Sequence, residues 1–342
     1  MIFVTGGAGF IGSNFIHYWL KNSDQQVLNI DKLTYAGNLS NLQSLASNPQ
    51  YSFLQLDINS EKISELFEKH KPAAIVHFAA ESHVDRSISG PTDFIQTNIV
   101  GTFNLLEASR KYWNSLAENK KSKFRFLHIS TDEVFGSLTK TDIAFHENSA
   151  FAPNSPYSAS KAASDHLVRA YFHTYNLPVV TTHCSNNYGP FQFPEKFIPV
   201  IIQSCLSGRS IPIYGDGSNV RDWLFVEDHC NALNEVLKKG HVGETYNIGG
   251  QCEKSNLDVV DHICRQMDEL RPRYDKKSYS LQKSFVTDRR GHDWRYAINI
   301  GKISKDLGWR PQKDFNSGIK STIAWYLENQ TWVKNVTKKE AT

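Results

Sequence analysis

Three groups of residues stand at spacings that could do chemistry. Tyr157 and Lys161 lie four apart, on one face if the segment is helical, so the ammonium can stabilise a phenolate and draw the phenol from its reference pKa of about 10 toward neutrality. Such a tyrosine takes a hydroxyl proton as hydride leaves the same carbon. The spacing alone is weak, because Tyr279 and Lys283 repeat it. Pro153 and Pro156 mark the first pair as opening a helix, whereas the second reads as a surface pair. The run Ser130, Thr131, Asp132, Glu133 puts a hydroxyl and two adjacent carboxylates where a strand should end. Thr131 can bond the hydroxyl that Tyr157 attacks. Glu133 can remove a carbon-bound proton while Asp132, held protonated, donates to a departing hydroxyl. The plainer alternative is a pair of solvated loop acids, and the catalytic reading requires the backbone to turn between them.

Gly6, Gly7, Gly9 and Gly12 form the third group, after one strand and before a helix. Glycine lets backbone approach a pyrophosphate while the helix N-terminus offers unpaired N–H groups. Asp31 follows Gly12 by 19 residues, close to the spacing of about 20 at which a carboxylate meets a ribose diol. A carboxylate there repels a 2′-phosphate, which favours NAD over NADP, with Lys32 beside it as the contrary sign. Asp57 and Ile58 suit the adenine edge.

The elements that must position these groups alternate. Apolar runs at Ile2–Thr5, Val27–Asp31, Tyr51–Leu56, Ala73–Phe78, Phe124–Ser130 and Val179–Cys184 predict strands, and 10–22, 60–70, 92–117 and 156–175 predict helices. That is an α/β fold, a Rossmann-type doubly wound parallel sheet of six or more strands. Beyond about residue 186, Pro190, Pro194, Pro199, Pro212 and the turn Gly215, Asp216, Gly217 break the rhythm. We therefore expect a dinucleotide-binding domain over 1–185 and a smaller C-terminal substrate-binding lobe over 186–342. Returns at Val220–Asp228 and Glu244–Ile248 are expected to rejoin the sheet.

The 342 residues carry 38 Lys+Arg against 35 Asp+Glu, a net charge of +3, with 40% hydrophobic content. This excludes a disordered chain and gives no basic patch for nucleic acid, the clusters Lys120, Lys121, Lys123 and Lys338, Lys339 reading as solvated surface. Five cysteines without a CxxC pair indicate neither a disulfide framework nor zinc. His77, His83 and His292 lack metal-ligand spacing, and His77 reads as a core residue. No apolar stretch reaches the ~18 residues of a membrane span, and the N-terminus opens on a strand, so a cytoplasmic enzyme is expected.

Taken together, Thr5–Ser13, Thr131 to Glu133, Tyr157 to Lys161 and the run 184–190 (Cys-Ser-Asn-Asn-Tyr-Gly-Pro) resemble the extended short-chain dehydrogenase/reductase family, and within it the nucleotide-sugar 4,6-dehydratases. The similarity runs nearly end to end, through 31–38, 77–85, 194–196, 221–223 and 247–250. It implies an NAD-dependent lyase that dehydrates dTDP-glucose to the 4-dehydro-6-deoxy sugar, a deoxysugar and rhamnose precursor. In that cycle Tyr157, with Lys161 and Thr131, opens oxidation at carbon 4. Glu133 then takes the carbon 5 proton, Asp132 protonates the leaving hydroxyl of carbon 6, and hydride returns there. Around NAD the resemblance places Gly6, Gly9, Phe10, Ile11, Gly12, Asp31, Lys32, Leu33, Thr34, Asp57, Ile58, Phe78, Ala79, Ala80, Glu81, Ser82, Thr97, Tyr157, Lys161 and Asn187. Around the sugar nucleotide it places Ser82, Thr131, Asn186, Glu195, Lys196, Phe197, Pro212, Tyr214, Arg221, Asn256, Arg289 and His292, with Arg221, Arg289 and Lys196 suited to a diphosphate. The family usually has proline where this chain has Arg290, and the stretch 137–156 is shorter than in many relatives. A homodimer through helices 92–117 and 156–175 is also implied. The alternatives are a 4-epimerase or decarboxylase of the same fold, needing no acid pair, and a non-catalytic NAD-sensing protein.

Overall fold

The computed structural model describes residues 1–288 and 291–338. Seven parallel strands form the central sheet in the order β10-β6-β5-β4-β1-β2-β3. They are β1 (Ile2–Thr5), β2 (Val27–Asp31), β3 (Tyr51–Gln55), β4 (Ala74–His77), β5 (Arg125–Thr131), β6 (Val179–Cys184) and β10 (Thr245–Ile248). All but β3 at the edge are buried along nearly their whole length, as expected of strands covered on both faces. The side-chain period of two sends Val4, Val76 and Leu127 to one core and Phe3, Ile75 and Phe126 to the other. Strand order reverses between β1 and β4, and that switch point opens a crevice at their C-terminal ends.

The helix Pro156–Tyr175 starts where its sequence says it should. Ser155 caps it through a reciprocal pair with Ser158, Pro156 occupies its first turn, and Asn176 ends it in a left-handed conformation (φ 58°). The segment expected as one helix over 92–117 is helical without a break over 92–115 but carries a π stretch inside it. A π-helical turn at Ile95–Gly101 precedes the α-helix Thr102–Ser115. The extra residue turns Asn98 inward, where its amide donates to the Glu81 carbonyl (3.0 Å) and to Ser160 Oγ (2.8 Å) and accepts from the Glu81 N–H (2.9 Å).

After β6 the chain runs through β7 (Asn186–Tyr188), β8 (Ile211–Tyr214), β9 (Val220–Phe225), β11 (Glu253–Ser255) and β12 (Lys283–Val286). Of the two expected returns, 244–248 joins the main sheet as β10 but 220–228 does not. β9 sits between β11 and β7 in a three-stranded sheet, and β12 pairs with β8. These elements share an apolar core around Tyr188, Ile202, Ile263 and Tyr326. Tyr279 belongs to that core and is not a surface residue. Its hydroxyl donates to the Arg271 carbonyl (2.8 Å), and Lys283 instead pairs with Asp261 (2.7 Å).

Candidate active site

The crevice holds a cavity of about 320 Å³. At one end the turn Gly6–Gly9 feeds the helix Phe10–Asn22, whose first turn has no side-chain cap and no acidic residue. Gly6 is at φ +70°, and a Cβ there would strike the backbone of Ala79 at 2.5 Å; one on Gly12 would strike the Gly6 carbonyl oxygen at 2.4 Å. Gly9 differs, because its Cβ would meet only the Gly6 oxygen, at 3.3 Å. That open side, with uncapped N–H groups behind it, has the form of an anion cradle. The Asp31 carboxylate accepts the N–H of Ala8 (2.9 Å) and of Leu33 (2.7 Å), which fixes it at the rim. Lys32, which had been the contrary sign for a 2′-phosphate, is turned onto Asp57 (2.7 Å).

At the other end β5 delivers Thr131 and then turns sharply. A 3₁₀ turn spans Asp132–Phe135, and Thr131 Oγ1 accepts the Glu133 N–H (3.3 Å). Gly136 (φ +88°) ends it against the Ala152 carbonyl, where a Cβ would stand at 2.4 Å. The backbone therefore does turn between the two acids. Asp132 is 1% exposed and its Oδ2 has no hydrogen-bond partner among the described residues, while Glu133 is half-buried. Burial, with the neighbouring Glu133 and Asp222 carboxylates, drives the Asp132 carboxyl well above its usual range, only partly offset by Arg221.

Tyr157 and Lys161 share the helix face over β5, and both are buried. The expected fall in the phenol pKa is not seen. Burial and the charge of Glu133 push Tyr157 well above 10, and only the hydrogen bond with Thr131 opposes them. The Lys161 ammonium is turned to the Ile129 carbonyl (2.8 Å), not to the phenol.

Nearly all the residues expected around a dinucleotide line this one cavity, as do Ser82, Thr131, Asp132, Glu133, Asn186 and Lys196. Leu33 does not; its backbone adopts φ +59° and spends its N–H on Asp31. Glu195, Phe197, Pro212, Tyr214, Arg221, Asn256 and His292 also lie outside the lining. Glu195 is paired with Arg86 (3.2 Å), Phe197 stacks on Trp223, and Pro212 lies within β8. Tyr214 packs edge-on to His292, whose Nδ1 meets Asp288 (2.7 Å). Asn256 opens the helix Asn256–Leu270 and donates its N–H to the Asn219 carbonyl (2.9 Å). The Arg221 guanidinium donates to the carbonyls of Val220 (2.7 Å) and Asp293 (2.9 Å), pinning the 293–296 segment to β9. Arg289, Arg290 and Lys339 lie outside the described residues.

Sequence reasoning missed several neighbours. Cys184 lines the cavity beside Tyr157 and donates to the Ser130 carbonyl (3.4 Å). Arg86 lies over the Tyr35 ring (3.8 Å) while bonding Glu195, tying the loop after β2 to the loop before the helix Phe197–Ser207. Cys184 opens the run 184–190, its one signal in the sequence, whereas Arg86 follows the run 77–85 and had none.

A cradle for phosphates, a ribose acid and a proton-transfer centre along one switch-point crevice define a dinucleotide-dependent enzyme with acid–base chemistry. The chain belongs to the GDP-mannose 4,6 dehydratase family, whose pattern matches residues 3–322. It is similar to the dTDP-glucose 4,6-dehydratase of Salmonella typhimurium, at 56% identity over 344 residues, 98% of this chain and 95% of that one. A dTDP-glucose 4,6-dehydratase from Bacillus anthracis, solved in complex with NAD, matches with a TM-score of 0.86 and 45% identity over 98% of this chain and 99% of that chain. Another from Streptomyces venezuelae, with NAD bound, gives 0.87 and 42% over the same shares.

Proposed function

We infer that this chain is an NAD-dependent hydro-lyase that converts dTDP-glucose to dTDP-4-dehydro-6-deoxyglucose. One observation carries the reading beyond the fold: the buried Asp132, with one carboxylate oxygen lacking a partner among the described residues, and the half-buried Glu133 leave β5 on a tight turn beside Tyr157. The crevice fits NAD, with the Gly9 cradle for the pyrophosphate and Asp31 for the adenosine ribose. Bound there, NAD would supply the hydride acceptor for oxidation at carbon 4 and the donor for the final reduction at carbon 6. Tyr157 is assigned to take the proton of the 4-hydroxyl, with Thr131 bonded to the same oxygen, a role that requires the positive charges of the bound cofactor and of Lys161 to offset the burial that keeps the phenol protonated. The resulting ketone acidifies carbon 5, and Glu133 takes that proton. Asp132, kept neutral by burial, gives its proton to the departing 6-hydroxyl. An epimerase needs no such pair, so Glu133 separates the readings.

We assign the cofactor to residues 1–185 with β10, and the sugar nucleotide mainly to 186–342. Ser82, Asn186 and Lys196 would reach it from the shared cavity, and Arg221 and His292 from the lobe. We further propose a homodimer in the cytoplasm. Exposed Ile95 and Phe103 on the 92–115 helical segment and Tyr175 at the end of the catalytic helix support the first. Five unbridged cysteines, and the absence of a helix among the described residues long and apolar enough to cross a membrane, are consistent with the second.

The decisive experiment is mass spectrometry of dTDP-glucose, with UDP-glucose in parallel, incubated with the holoenzyme in deuterated water. Loss of one water with one deuterium at carbon 5 is expected from the thymidine nucleotide, and Glu133→Gln should abolish it while leaving oxidation at carbon 4. Interconversion of glucose and galactose forms without loss of water would reassign the enzyme as an epimerase.

A further inference from the structure

Behind the catalytic pair lies a dry polar knot that the mechanism above does not use. Asp165 follows Lys161 by one helical turn on the same face and is 5% exposed. Its Oδ1 accepts from His128 Nε2 (3.0 Å), and its Oδ2 accepts from His183 Nε2 (2.9 Å) and Ser130 Oγ (2.9 Å). Ser130 and His183 are register partners across β5 and β6, so one carboxylate clamps two strands to the helix. Three donors converging on it require an ionised acceptor. The Nδ1 atom of His128 is buried without a partner among the described residues, so protonating that ring would strand a second N–H in a dry site, and burial pushes its pKa down to about 4. The negative charge therefore stays on Asp165.

Lys161 is 4% exposed, and its ammonium holds one hydrogen bond, to a carbonyl of the same strand. A buried ammonium without a facing negative charge sheds its proton, documented cases falling to a pKa of about 5–6. We propose that Asp165 is a positioning residue for dehydration: its carboxylate keeps Lys161 charged and, through Ser130, fixes the strand end that carries Thr131. The proposal rests on the dehydratase reading for its kinetics, but not for its electrostatics. The other titratable groups facing this region are His77 from β4, Asp132 and Glu133 beyond β5, Cys184 beside His183 on β6, and Tyr157 from the helix itself. Burial disfavours the Lys161 cation, and Asp165 is the first group that opposes it.

The test replaces the charge but keeps the shape, in Asp165→Asn, with Asp165→Glu as the charge-retaining partner. Two readouts are taken: the pH profile of dTDP-glucose turnover, and the Cε resonance of Lys161 in protein carrying ¹³C-lysine, assigned with Lys161→Ala. In Asp165→Asn we expect KM within about threefold of wild type, kcat lower by about tenfold near neutral pH, and the alkaline limb moved down by about one unit. The lysine titration should move with it, and Asp165→Glu should restore both in part. A slower variant whose pH limb and lysine resonance stay in place would reduce Asp165 to a strand clamp and overturn the proposal. If the asparagine protein does not fold, the wild type decides alone, because a Lys161 midpoint near about 5–6 would show that no counter-charge acts. If the wild type fails to turn over dTDP-glucose, the functional reading falls while the lysine titration still judges this one.

Discussion

Adding one methyl group at each of two neighbouring glycines should separate folding from cofactor binding. In Gly12→Ala the new Cβ would stand 2.4 Å from the Gly6 carbonyl oxygen and 2.8 Å from the Gly7 Cα. Ordinary contact begins near 3.4 Å, so the turn must open by about 1 Å, and both neighbours are backbone atoms that cannot swing aside. Overpacking of that kind costs about 1–3 kcal/mol, and a displaced cradle should weaken NAD binding besides. In Gly9→Ala the single close neighbour lies at 3.3 Å, a shortfall of about a tenth of an ångström, and φ is −78°, which alanine adopts freely. Stability should stay within about 0.5 kcal/mol of wild type. The methyl would nevertheless fill the space through which a pyrophosphate approaches the helix N-terminus, so NAD affinity should fall by about tenfold or more, equal to about 1.4 kcal/mol. Calorimetric titration of NAD into charcoal-stripped protein, beside urea unfolding of the apo form, reads the two quantities separately. A Gly9→Ala protein that binds NAD like wild type would refute the placement of the pyrophosphate. One that loses stability as much as Gly12→Ala would refute the steric argument.

Asp132→Asn should gain stability as it loses function. Because the folded-state pKa of Asp132 lies above the unfolded value, the wild type loses stability as pH rises from about 4 toward the folded pKa. Asparagine does not titrate, so its melting temperature should overtake that of the wild type across this range in scanning calorimetry, with dehydration slower by about 10²–10⁴. A variant less stable than wild type at pH 7 would contradict burial as the cause. Phe103→Glu, at a residue 44% exposed on the helix Thr102–Ser115, should give monomers in sedimentation; dimers of unchanged strength would move the interface elsewhere.

The strands β1, β2 and β6 and the helices Phe10–Asn22 and Pro156–Tyr175 end where their sequences predict. Their signals are local: buried alternation, an N-terminal proline, a serine cap. What failed was long-range. The π turn depends on Asn98 meeting Glu81 and Ser160, which no window of sequence contains. Tyr279 matched a surface pair by spacing, yet the lobe core claims its ring. The segment from Val220 carried a strand pattern but not its partner, and it found β7 and β11 in place of the main sheet. At the site, residue types and spacing located Tyr157, Asp132, Glu133 and Asp31 within one crevice. They could not give the sign of the Tyr157 shift, because burial and the approach of Glu133 are properties of the assembled fold.

The position of β10 also bears on how the molecule is made. β6 is inlaid between β5 and β10, but about sixty residues, including β7, β8 and β9, are synthesised between β6 and β10. Until Ile248 has left the ribosome, the run Val179–Cys184 is an open edge of six residues destined for burial, the kind of strand that recruits other chains. The main sheet, although it begins with the chain's first strand, is thus completed late. A nascent chain therefore cannot seal this edge before three strands of the two smaller sheets have been made.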